Sequence, residues 1–296
     1  MAHKIAWTDF TWNPYWGCEY NCSFCYAKKF AKRFWATVYI REKTFCSTNQ
    51  IPQSTKLMHN LSNFYPTMLW HRMDSIPKKP CKVFVNSMSD ISCWKISDFK
   101  IIIEKMKLYP NHIFQILTKN PIKLKLLMDT MRIKFSDNIW LGLSLGSIEN
   151  NTEKDILTFR MINAGKHFIS LEPYILDITE KEMQCIQPNT YVNYKKVADV
   201  SWIIIGGCTG VKNQILQQQK VLEIISFSKH TKIPLFFKSW GDYIPAPQLK
   251  YLDSTIQNKI LQKKKISIDN IDYYKAGAKL SGNIINNKRH QQFPIK

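Results

Sequence analysis

Three cysteines stand close together in the stretch "WGCEYNCSFCYAKKF", at Cys18, Cys22 and Cys25. Thiolates are soft ligands, and the spacing C-x3-C-x2-C puts all three on one short loop. Structural zinc takes four ligands, commonly as two pairs. The remaining cysteines nearest in sequence, Cys46, Cys81 and Cys93, are expected to lie too far along the chain to complete such a set. Three thiolates suit a [4Fe–4S] cluster that leaves one iron open to a substrate or cofactor, because such clusters otherwise take four cysteines. A zinc ribbon remains the alternative for the same residues.

Cations follow the loop directly. Lys28, Lys29, Lys32 and Arg33 are placed to track a phosphate backbone, with Tyr26, Phe30, Phe34 and Trp35 interleaved as a stacking surface requires. Phe30 and Phe34 also stand at i and i+4 of a helix, so the expectation for them is burial against the body of the fold. Over the 296 residues, Lys and Arg number 42 against 22 Asp and Glu, a formal charge of +20. An excess of that size favours polyanion partners, since each phosphate neutralised releases counterions. Abundant lysine, asparagine and isoleucine give part of that charge a second origin in A/T-rich coding.

The composition excludes several classes. At 45% hydrophobic and 13% aromatic residues the chain can fill a core, which argues against disorder. No apolar run reaches the roughly 20 residues that span a bilayer, so no membrane partner is expected. The opening "MAHKIAWTDF" shows no apolar signal region, and the clustered cysteines point to a reducing compartment, so the expected location is cytoplasmic. There is no Gly-x-x-x-x-Gly-Lys phosphate loop and no Gly-x-Ser-x-Gly elbow. His71, His112 and His167 read as ordinary histidines beside strands or loops.

The elements that must position these groups follow from six apolar runs: "KVFVNSMSD", "HIFQILTKN", "NIWLGLSLG", "HFISLEP", "SWIIIGG" and "IPLFFKSWG". Little alternation and many β-branched residues predict strands of a parallel sheet buried on both faces. Helical patterns fill the gaps. Phe99, Ile102, Ile103 and Met106 predict one behind a cap at Ser97, Asn120-Pro121 opens another, and residues 152–163 and 214–228 predict two more. Strand then helix, repeated, predicts α/β architecture as a parallel barrel or open sheet. Residues 1–242 are expected to form it, with 243–296 as an appendage and 41–80 as a loop-rich excursion with one helix. Asn86, Ser87, Asp90, Thr118, Lys119, Ser144, Glu172, Cys208 and Lys238 follow strands, at the edge where such folds assemble sites. Helix caps and turns account for the same residues equally well.

The C-x3-C-x2-C loop, with Phe24 before its last cysteine, resembles the signature of the radical S-adenosylmethionine superfamily. The elements "WTDFTWNPYWGC", "CSFCYAKKFAKRF", "VFVNSMSD", "FQILTKNP", "WLGLSL", "FISLEP", "IIIGG", "PLFFKSWG" and "KAGAKLSGNIINNKRHQQFP" together resemble a narrower group. These are the three-cysteine-motif proteins first noticed in phage genomes, distantly like spore photoproduct lyase. The resemblance covers almost the whole chain. It implies a partial (β/α)6 TIM-like barrel of the radical SAM type, with Cys18, Cys22 and Cys25 holding a [4Fe–4S] cluster. S-adenosyl-L-methionine would chelate the open iron and be cleaved to a 5′-deoxyadenosyl radical. It also implies an electron donor such as flavodoxin or ferredoxin. It points towards DNA lesion repair or base modification, with RNA or a peptide as other substrates and a partner protein left open. A nucleic-acid-binding protein with a structural iron–sulfur or zinc centre is the rival from a different class.

The resemblance also suggests roles. Asn86, Ser87 and Asp90 would receive the cofactor's ammonium, Thr118, Ser144 and Glu172 its ribose or sulfonium, and Gly206 and Gly207 would let its adenine or methionine part approach the backbone. Two departures stand out. Gly206-Gly207-Cys208-Thr209-Gly210 replaces the group's Gly-Gly-Glu-Ser-Gly, and Ser144-Leu145-Gly146-Ser147-Ile148-Glu149-Asn150 alters its Ser-Val-Glu-Asn. A thiol at Cys208 could give a hydrogen atom to a carbon radical, or merely fill space as a small apolar group.

Overall fold

The computed structural model describes residues 5–147, 152–211 and 214–295. Ile148, Glu149 and Asn150 of the altered element therefore lie outside the described residues. All six apolar runs form strands: Lys82–Val85, Ile113–Thr118, Ile139–Ser144, Lys166–Leu171, Val200–Ile205 and Leu235–Phe237. A seventh, Phe10–Trp12, precedes the cysteine loop and pairs in parallel with the first of them, Phe10 opposite Val83 and Trp12 opposite Val85. Three residues are too few to show a period, so this edge strand was not legible in advance.

In chain order these seven are β1 (Phe10–Trp12), β2 (Lys82–Val85), β3 (Ile113–Thr118), β4 (Ile139–Ser144), β5 (Lys166–Leu171), β6 (Val200–Ile205) and β7 (Leu235–Phe237). They hydrogen-bond in that same order, as a curled parallel sheet of the partial-barrel kind in a mixed α/β fold. Sequential order with parallel pairing requires a crossover between neighbours. Helices supply them: α1 (Tyr26–Thr48), α2 (Ile96–Lys107), α3 (Pro121–Met131), α4 (Glu153–Met161) and α5 (Gln218–Thr231), with the shorter helix Glu180–Ile186 between β5 and β6. Every residue of β4 is buried, which explains its unbroken apolar run.

Some helix limits differ from expectation for local reasons. α2 begins at Ile96, with Lys95 as its cap residue, because the Ser97 hydroxyl bonds the Asp98 carboxylate instead of a backbone N–H. Asn120 caps α3 as expected, accepting from Lys123 N at 2.8 Å with Pro121 first in the helix. α5 begins later than expected, at Gln218. α1 runs on through residues 41–48, into the segment expected to be a loop-rich excursion with one helix. Its buried residues Ala27, Ala31, Val38, Glu42 and Cys46 keep helical spacing, but a glutamate on the inner face breaks the apolar pattern.

The chain divides into two compact units. The first holds residues up to 143 together with 158–167. In it, α1 packs on a cluster of Trp16, Leu57, Leu61, Phe64, Leu69 and Met88. Glu42 is buried there and fully engaged: it accepts from Trp70 N at 2.9 Å, His71 N at 3.2 Å and His71 Nδ1 at 2.5 Å. The second unit holds 144–157 and 168 onwards. Its last part includes an antiparallel sheet in which Ile271–Lys275 pairs with both Tyr243–Pro245 and Lys265–Ile268. No helix among the described residues is long and apolar enough to cross a membrane.

Candidate functional site: the cysteine loop and its surroundings

The cysteine loop is fixed at both ends. Gly17 holds φ +88°, and a Cβ there would collide with the backbone of Phe64 and Tyr65. Gly17 N donates to Met88 O and Cys18 N to Phe64 O, each at 3.1 Å, so the close approach sets the loop's entry. At the exit, Cys25 caps α1, its sulfur accepting from Lys28 N at 3.3 Å. Tyr26, the next residue, donates its hydroxyl to Ser87 O at 2.9 Å. Cys18 and Cys25 pack on the apolar cluster beneath α1.

The three thiols differ. The neighbouring Cys93 thiol holds Cys18 down to about 7 against the opposing effect of burial, with further help from the backbone N–H groups of Tyr20 and Asp90. Cys93 is correspondingly pushed up, first by Cys18 and then by burial. Cys22 is raised by burial, opposed by the charge of Lys119 and reinforced by Cys18 and Cys25. Cys93 was expected to be remote. The structure brings it against Cys18, because Asp90 caps the single turn Ile91–Cys93 and folds it under the loop. The "DISC" string held that cap signal, but no spacing rule tied it to the loop.

Asp90 belongs to this scaffold. Its Oδ1 accepts from Ser92 N at 3.0 Å, Ser92 Oγ at 2.7 Å and Thr118 Oγ1 at 2.9 Å, and its Oδ2 from Lys119 N at 2.7 Å. Four donors fill the acceptor positions of a carboxylate. Asp90 thus joins the ends of β2 and β3, and Thr118 is spent on the same bond. Asn86 is buried, donating to Tyr15 O and accepting from Met88 N at 2.9 Å. Ser87 donates through N and Oγ to Asn13 Oδ1, at 2.7 and 3.1 Å. These residues come together at the β2 end beside the cysteine loop, with their side-chain polar groups largely engaged.

In the second unit, Ser144 is buried at the end of β4. Glu172 meets Lys238 at 2.9 Å, with the carboxylate 13% exposed and the amine 41%. Gly206 faces that pair: a Cβ on it would stand 2.9 Å from Glu172 Oε1. Gly207 is filled differently, since the space its Cβ would take is held by the Trp240 backbone carbonyl. Cys208 is buried, and its carbonyl accepts from Asp242 N at 2.9 Å.

Lys28, Lys29, Lys32 and Arg33 are all exposed on α1. Phe30 corrects the expectation of burial: it is 42% exposed, and Tyr26 is 60% exposed. The buried stripe of α1 runs through Ala27, Ala31 and Val38, which turns Phe30 outward. The histidines are ordinary. His112 bonds Pro77 O and His167 bonds Ile162 O, each at 2.9 Å, and burial pushes His167 down to about 4.

Residues 2–294 match the model of a family described as a protein of unknown function, DUF5131. The chain belongs to that family. No curated protein and no solved structure matches it. Among the described residues no group of three or more His, Cys, Asp and Glu is arranged to hold a metal ion. In donor type the loop nonetheless fits a thiolate-held centre: three cysteines, one of them with its thiol held below the ordinary value, on a loop anchored at both ends. A centre bound there would have to draw the sulfurs together.

Proposed function

We propose that this protein is a radical S-adenosylmethionine enzyme acting on nucleic acid, with DNA repair or base modification as its direction. The observation that carries the reading is the cysteine loop itself. Gly17 and the Cys25 cap anchor it beside the end of β2, with Cys22 within electrostatic reach of both Cys18 and Cys25. A [4Fe–4S] cluster on three thiolates supplies an electron and an open iron for a chelating cofactor.

The chain's own groups do the rest. Cys18, Cys22 and Cys25 would hold the cluster, and the Asp90 network fixes the turn that carries Cys93 to the ends of β2 and β3. Asn86 and Ser87 offer backbone carbonyls close to the loop for an ammonium. Thr118, Ser144, Glu172, Gly206 and Gly207 remain cofactor candidates. Asp90 and Thr118 act through position, given the bonds they already make. Cys208 is the candidate hydrogen donor. Its alanine variant should still cleave the cofactor while changing the product and its solvent-deuterium content. The electron would come from a flavodoxin- or ferredoxin-type protein.

A second reading has one observation in its favour. Cys93 makes a fourth thiol at the loop, so a structural zinc or iron–sulfur centre in a nucleic-acid-binding protein is the rival. Anaerobic reconstitution followed by reduction with S-adenosylmethionine decides between them. An enzyme should load about four irons per chain and release 5′-deoxyadenosine. One equivalent of zinc with no cofactor cleavage removes the enzyme reading.

A further inference from the structure

The outward face of α1 carries cations and aromatic rings without a carboxylate. Lys28, Lys29, Lys32, Arg33, Arg41 and Lys43 are exposed, whereas Glu42, the only acid on the helix, is buried. Lys28 and Lys29 stand in the first turn, where the helix dipole disfavours positive charge, so the local field there is strongly positive. A face of one sign repels a second copy of itself and attracts a polyanion.

The rings add what charge alone does not need. Tyr26, Phe30 and Phe34 follow one another at i, i+4 and i+8, which makes a row along the helix. Tyr26 and Phe30 are exposed, the Phe30 and Phe34 rings lie 4.5 Å apart, and the Arg33 guanidinium lies 5.2 Å from the Phe34 ring centre. In a duplex the base faces are covered by their neighbours, so exposed rings gain nothing there. In a single strand the bases are free to stack on rings while neighbouring cations take the phosphates.

We propose that this face of α1 is a binding surface for single-stranded nucleic acid. The proposal deepens the reading above and rests on its nucleic-acid half, independently of the cluster.

The test is fluorescence anisotropy on the intact chain, with a labelled dT strand of about 15 nucleotides and a hairpin duplex of similar length. At about 50 mM salt the strand should bind more tightly than the duplex, and both should weaken steeply by about 200 mM. Phe30→Ala should weaken strand binding about tenfold, the loss of one base stack, and leave the duplex unchanged. Phe30→Trp should retain strand binding, and equal melting temperatures show that the variants fold. Unchanged strand affinity in Phe30→Ala overturns the proposal, as does a duplex bound at least as tightly as the strand. A dimer that Phe30→Ala dissociates, seen by sedimentation, overturns it in favour of a second copy. Iron content on the same samples separates the two ideas: strand binding without iron leaves this surface standing and removes the cluster.

Discussion

Cys93 stands beside Cys18, close enough that the two thiols push each other's proton affinity in opposite directions, and this neighbourhood joins the turn after β2 to the cysteine loop. Cys22 feels the charges of Lys119, Cys18 and Cys25, whereas the thiol that acts most strongly on Cys93 is Cys18. That asymmetry predicts that Cys93 is no ligand of a three-cysteine centre. Serine at Cys18, Cys22 or Cys25 should sharply lower iron uptake, and Cys93→Ala should keep about four irons per chain. Iron and sulfide analysis after anaerobic reconstitution checks it. A loss of iron in Cys93→Ala as large as in Cys18→Ser makes the site a four-thiolate one.

Gly17 predicts a second result. Its positive φ costs a residue with a Cβ about 1–2 kcal/mol, and here the Cβ also strikes backbone that cannot swing aside. Gly17→Ala should therefore lower stability by at least about 2 kcal/mol and reduce iron uptake, because Cys18 loses its seat against Phe64. Urea melts and iron analysis measure both. Full iron uptake in a folded Gly17→Ala protein means that the loop's entry does not depend on this crossing.

Much of the site was legible where chemistry sits in a short string. The cysteines, the Asn120 cap and the six apolar runs are local signals, and the structure carries the strands and the cap where those signals fall. What escaped depends on distant packing. Cys93 meets Cys18 only because Asp90 folds its turn beneath the loop. Phe30 faces outward because Ala27 and Ala31 take the inner stripe, a choice that i and i+4 spacing alone leaves open. Glu42 hid the second half of α1 for the opposite reason, since a buried carboxylate reads as surface until its partners at Trp70 and His71 are known.

Glu42 also sets a pH dependence. Burial alone would raise its carboxyl, but the bonds from the His71 ring, Trp70 N and His71 N hold it below its ordinary 4.5. A lowered folded value means that its contribution is complete above the unfolded value and is lost as pH falls through the folded one. Glu42→Ala should cost about 3 kcal/mol near neutral pH, since Trp70 N, His71 N, the His71 ring and the Cys46 thiol lose their acceptor. The gap between wild type and variant should narrow as pH drops below the ordinary carboxyl value of 4.5. Denaturant melts across that window give the slope, and a constant gap would show that Glu42 does not titrate between the two states.

Gly207 separates structure from cofactor binding in the second unit. The space that a Cβ would enter is held by the Trp240 carbonyl, and Gly241, at φ +82°, crosses the backbone of Gly207 and Cys208 from the other side. Gly207 N donates to Ser239 O at 2.9 Å and Asp242 N to Cys208 O at the same distance, so the two segments are tied as well as close. An added methyl has only backbone to displace, which should cost about 2–3 kcal/mol. Gly207→Ala should therefore lower the melting temperature while the folded fraction keeps its iron, because the cysteine loop belongs to the other unit. Gly206→Ala meets a side-chain carboxylate that can shift, so its stability loss should be the smaller. Measured melts and iron content decide it. Equal stability in Gly207→Ala and wild type, with S-adenosylmethionine binding lost in the variant alone, would instead assign Gly207 to the cofactor.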